Sequence, residues 1–213
     1  MKEPDEHPTD EEIIATTKRW VERAVIGLNL CPFAKGVQAK GQVHYAVSHA
    51  RDADQLMPDL TRELTALVQS DPDERDDTLL IHPHALRDFY DFVEFLALAD
   101  ETLRELSLAG ILQIASFHPR YQFAGTSPDD IANYTNRSPY PTLHLLREAS
   151  VDRAVAVFPD AAAIFERNIE TLRGLGLDGW QQLEVAAPPA GDSAVNRTAR
   201  PGPRIPRSGA RRR

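Results

Sequence analysis

Three short apolar runs, Val43 to Val47, Thr78 to Ile81 and Ile111 to Phe117, alternate with two stretches of helical periodicity. Leu56, Leu60, Leu64, Leu67 and Val68 fall on one face of the first stretch, and Phe89, Phe92, Val93, Leu96 and Leu103 on one face of the second. Strand, helix, strand, helix, strand is the order of an α/β sheet with crossover helices, here of three strands or slightly more. If the strands are parallel, the crossovers are right-handed and all strand C-terminal ends share one edge. Ligands of open α/β sheets bind outside that edge. His82 and His118 each follow a strand directly, so parallel strands would bring both there.

The flanking segments are helical. Thr9 and Glu12 fit a capping box, and Ile13, Thr17, Trp20, Val21, Ala24, Val25 and Leu28 recur at helical spacing up to about Leu30, before Pro32. A basic turn around Lys35, Gly36 and Lys40 follows. Asp88 opens the helix before the third strand. Pro141 suits the first position of a helix over 142–149. Asp160 is placed to cap a further helix carrying Ala161, Ile164, Phe165, Asn168 and Leu172, with Gly174 and Gly176 at its end. A single α/β domain with a helical C-terminal part is therefore expected over 9–185, between a disordered N-terminus (1–8) and a disordered Arg/Pro-rich tail (186–213).

Charge and cysteine content narrow the setting. Of 213 residues, 42% are apolar and 26% charged, as in an ordinary globular domain. No apolar run is long enough to span a bilayer, and the N-terminus has no signal-like apolar region, so no membrane partner is expected. One cysteine, Cys31, permits no intramolecular disulfide, and a cytoplasmic protein is expected. From Asn196 onward there are seven arginines and no Asp or Glu. Taking those seven charges from the net −8 leaves −15 on the rest. So acidic a body makes nucleic acid an unfavourable partner except through the basic tail.

The stretch between Ile111 and Glu148 is the least regular and richest in chemistry. A long connection dense in aromatic, amide and proline residues is more often functional or self-packed than idle. Leu30-Cys31-Pro32-Phe33, Ala115-Ser116-Phe117-His118-Pro119 and Asn133-Tyr134-Thr135-Asn136-Arg137-Ser138-Pro139-Tyr140-Pro141, with Leu143-His144-Leu145-Leu146-Arg147-Glu148, resemble the DUF1415 family. The resemblance covers roughly Glu11 to Gly176. That family was defined without a known function, so the resemblance implies no catalytic assignment.

Several residues are candidates for a site. His118, held extended by Pro119, suits general acid–base work; its structural counterpart is a histidine that pins the long connection through backbone hydrogen bonds. Cys31 is a nucleophile if a histidine lies near it, although a position after a helix C-terminus raises a thiol pKa and favours a buried structural role. Arg137 among Asn133, Asn136 and Ser138 forms a donor-rich set for a carboxylate or phosphate, with N–H groups of the expected helix at Pro141 beside it. On such a helix His144 and Arg147 would share a face and join the pocket; otherwise these donors satisfy loop backbone. His82, His118 and His144 form an alternative zinc set, with no recognised ligand spacing. The expected function is an enzyme acting on a small anionic molecule through a His/Arg/Asn site. The alternative is a non-catalytic ligand-binding or protein-interaction module. A deep pocket where His118 and Arg137 converge marks the first, and a flat exposed aromatic surface marks the second.

Overall fold

The computed structural model describes residues 8–157 and 161–187. The expected disordered ends, apart from a few residues beside them, and the Asp160 cap lie outside the described residues. Helix α1 (Asp10–Trp20) starts on the expected box: the Glu12 N–H donates to Thr9 Oγ (3.3 Å) and the Thr9 N–H to the Glu12 carboxylate (2.8 Å). It continues into a wider π turn, Val21–Ile26, instead of running regularly to Leu30. The Val25 carbonyl there accepts from the Leu30 N–H (2.9 Å), which draws the chain round toward Cys31. The expected basic turn is a short helix, α2 (Ala34–Ala39).

Strand β1 (Val43–Val47), α3 (Ala53–Gln69), β2 (Asp77–Ile81), α4 (Phe89–Glu105) and β3 (Leu112–Phe117) follow the predicted alternation. Asp52 and Asp88 cap α3 and α4 by accepting from Gln55 and Tyr90 N–H groups. A connection over 118–141 contains a 3₁₀ turn (Ile131–Asn136) and leads into β4 (Thr142–Arg147). Helix α5 (Glu148–Val157) and α6 (Ala161–Gln182) complete the described chain, with α6 kinked at Gly176 (φ 66°, ψ 177°).

The helix expected over 142–149 is the main correction, because its first six residues form β4. Alternation explains the outcome: Leu143 and Leu145 are fully buried on one face, and His144 and Leu146 lie on the other. Pairing on both sides, with β2 and with β3, overrides the local preference that Pro141 suggested. Strand order is β1-β2-β4-β3, with β1 parallel to β2 and β4 antiparallel to both neighbours. The sheet is therefore mixed and four-stranded. Even so, β1, β2 and β3 run the same way, so the ends of β2 and β3 do share an edge.

Each face of the sheet has its own core. Under α3 and α4 lie Leu56, Leu60, Leu64, Leu67, Phe92, Phe95, Leu112, Leu143 and Leu145. On the other face α1, the π turn after it and α6 bring Ile13, Trp20, Ala24, Leu172 and Trp180 onto Leu79 and Ile81. All five residues of β2 are buried, as expected of an interior strand covered on both faces.

Candidate functional site

The shared edge carries His82 and His118, both buried beside Phe92, with ring centroids 5.8 and 5.0 Å from it. The Arg120 N–H donates to His118 Nδ1 (3.0 Å), so Nε2 carries the proton and donates to the Leu86 carbonyl (3.2 Å). His82 Nδ1 donates in turn to the neighbouring Ala85 carbonyl (3.1 Å), which leaves its buried Nε2 lone pair without a partner among the described residues. Burial pushes His82 down to about 4 and His118 to about 3, and both rings are neutral at ordinary pH. Leu86 sits at φ 52°, a strained value for leucine, held between these two histidine contacts.

The donor-rich residues of the connection are turned onto the chain itself. Asn133 is fully buried; its oxygen accepts from the Phe123 N–H (3.0 Å) and Thr126 Oγ (2.7 Å), and its amide donates to the Ser127 carbonyl (2.8 Å). Asn136 donates to the Ser116 carbonyl and Ser138 to that of Tyr140. Arg137 donates to the carbonyls of Tyr121 (3.3 Å) and Pro128 (2.6 Å) and lies over the Tyr134 ring at 4.2 Å. No helix starts at Pro141 to add N–H groups, because β4 begins there. The aromatics are packed too: Tyr121 and Tyr140 are buried and Tyr134 stacks edge-on against Trp180. Neither a deep pocket with His118 and Arg137 converging nor a flat aromatic surface is present among the described residues.

His144 and Arg147 separate, since residues three apart in a strand point to opposite faces. Arg147 reaches under the sheet to the carbonyls of Leu67 (2.6 Å), Ser70 (2.7 Å) and Arg75 (3.2 Å). His144 instead meets a residue that the sequence did not single out: its Nε2 is 3.2 Å from Asp77 Oδ2. Asp77 opens β2 and is buried, and its Oδ1 has no partner among the described residues. One signal was available, an acidic residue on the first position of an otherwise apolar buried strand. The zinc alternative does not assemble, because His144 lies on a sheet face and His82 and His118 at the strand ends. No group of three or more His, Cys, Asp and Glu among the described residues is placed to hold a metal.

Cys31 shares the neighbourhood of Asp77. Its thiol is raised above the ordinary value, first by burial and further by the Asp77 charge, whereas the N–H groups of Phe33 and Ala34 act the other way. The direction matches the expectation from the sequence, but the cause is burial and charge rather than a helix dipole. Tyr45, one strand over, is also raised by burial and by Asp77, and its hydroxyl donates to Gln38 (2.9 Å). Beside Pro32 a cleft of about 200 Å³ is lined by Leu28, Asn29, Ile164, Arg167, Asn168 and Glu170.

Together these features describe a mixed four-stranded α/β protein with a half-open imidazole–carboxylate pair on one sheet face. A family model described as a protein of unknown function (DUF1415) matches residues 12–182, and the chain belongs to that family. No curated protein and no solved structure matches it.

Proposed function

We propose that this protein is an enzyme acting on a small anionic molecule, with the His144–Asp77 pair as its acid–base centre. The observation that carries the reading is the 3.2 Å contact between His144 Nε2 and Asp77 Oδ2, with the imidazole still partly open to solvent. A buried carboxylate that fixes one ring nitrogen orients the other for proton exchange, an arrangement common among histidines that act as general bases. Cys31 supplies a thiol near the same carboxylate. With its pKa raised, it rests protonated and needs a base before it can attack.

The substrate's charge would be met by Arg167 at the cleft beside Pro32, where its Nε donates to the Ala163 carbonyl (3.3 Å) and Glu170 shares the lining. His118, Asn133, Asn136 and Ser138 serve this reading by holding the connection that ends in β4, the strand bearing His144.

Alkylation of Cys31 by iodoacetamide tests the arrangement without a known substrate. Rates should be low at neutral pH and rise in Asp77→Asn, which removes a charge that disfavours the thiolate. Phosphate or small carboxylates should slow the wild-type reaction saturably, and Arg167→Gln should abolish that protection. On a substrate found by screening esters and thioesters, His144→Gln should lower turnover about 100-fold or more. Full turnover in His144→Gln would remove the acid–base role, and absence of anion protection would remove the substrate class.

A further inference from the structure

β1 is an edge strand, and its outer ladder is bare among the described residues. The Ser48 N–H donates to the Ile81 carbonyl (2.8 Å), which sets the phase of the parallel ladder. His44, Ala46 and Ser48 bond inward to β2, whereas Val43, Tyr45 and Val47 turn their N–H and C=O groups outward. None of those outward groups has a partner among the described residues.

The opposite edge is treated differently. On β3 the outward Leu112 N–H is taken by the Leu108 carbonyl (2.9 Å) and the Ser116 carbonyl by the Asn136 amide (3.2 Å). These contacts blunt that edge against another strand. Nothing comparable protects β1 among the described residues. It carries no Lys, Arg, Asp, Glu or Pro, the residues that usually guard an exposed edge. Its residues are half-exposed or exposed, in contrast to the fully buried β2.

We propose that β1 pairs antiparallel with β1 of a second copy, about a two-fold axis through Tyr45. A two-fold contact needs a surface complementary to itself, and Val43-His44-Tyr45-Ala46-Val47 is nearly palindromic. Val43 then faces Val47 of the other copy, Tyr45 faces Tyr45, and His44 faces Ala46. β-branched and aromatic residues meet their own kind with no like charges opposed. Every outward N–H finds a carbonyl, since Tyr45 with Tyr45 and Val43 with Val47 are the positions that exchange both bonds. On the covering helix, Lys18 lies 5.2 Å over the Tyr45 ring. The sheet would run continuously through both copies.

Light scattering and sedimentation equilibrium of the full chain across micromolar concentrations test this, with a dimer expected. Val47→Pro removes an outward N–H and some packing of Val47 on the second core while leaving the β1–β2 hydrogen bonds in place; with the circular dichroism of the wild type retained, it should raise the dimer dissociation constant about tenfold or more. In a Cys31→Ser background, Tyr45→Cys should cross-link efficiently under mild oxidation. Paired positions of this kind stand about 5.5 Å apart, within disulfide reach. His44→Cys, which does not face itself, should cross-link poorly. A wild-type monomer throughout the range would overturn the proposal. So would a dimer insensitive to Val47→Pro with no Tyr45→Cys cross-link, or a monomer that dimerises only after residues 188–213 are deleted.

Discussion

His82 and His118 hold the carbonyls of consecutive residues, Ala85 and Leu86, and so fasten the turn between β2 and α4. Burial keeps both rings neutral far below the ordinary histidine range, against the pull of these carbonyl bonds, which favour the charged form. The sign of the pH effect follows directly. Between about pH 6.5 and the native values near 4 and 3, the unfolded chain binds protons that the native chain does not. Stability from these groups is complete above about 6.5 and is lost as pH falls, at up to about 1.4 kcal/mol per unit for each histidine. Urea midpoints at several values from pH 7 to 4.5 should show this slope, and His82→Phe should reduce it by about half. A midpoint unchanged over that range would mean that the rings do not titrate as their burial requires. His118, Cys31 and His144 were legible as chemically capable residues. The partners of His118 and His144 were not, because Leu86 and Asp77 come close only through folding.

At the scale of elements, the second half of the chain shows how one strand reassigns its residues. Taken as a helix, 142–149 would group His144 with Arg147; as β4 it sends them to opposite faces. Arg147 becomes a brace between β4 and the end of α3. Replacing it with Met should leave the carbonyls of Leu67, Ser70 and Arg75 short of a donor, at a cost of about 3 kcal/mol in denaturant unfolding. Anion protection of Cys31 should survive in any Arg147→Met protein that folds. In α6 the kink at Gly176 uses φ 66° and ψ 177°, a region reserved for glycine. No neighbouring atom lies where a Cβ would stand, so Gly176→Ala measures backbone strain alone. A loss of about 1–3 kcal/mol is expected, and a neutral result would show that the kink can straighten.

Across the whole molecule, charge is divided between an acidic body and an arginine-rich end. Deleting residues 196–213 removes seven positive charges and takes the net from −8 to −15. Any retention on a heparin column at low salt should therefore vanish with that deletion, since the remaining charge repels a polyanion. Retention unchanged by the deletion would point to a basic patch on the body instead. The sequence by itself determined the alternation of three strands with two helices, the caps at Thr9 and Asp88, and the break near Gly176. Each is written in neighbouring residues, through periodicity or a side chain bonding its own helix end. Only the tertiary structure decided that β4 is a strand between β2 and β3, that Asp77 meets His144, and that the amides and arginines of the long connection face the chain's own carbonyls. Those outcomes depend on residues far apart in sequence, whose buried polar groups take whichever partners the packed sheet brings within reach.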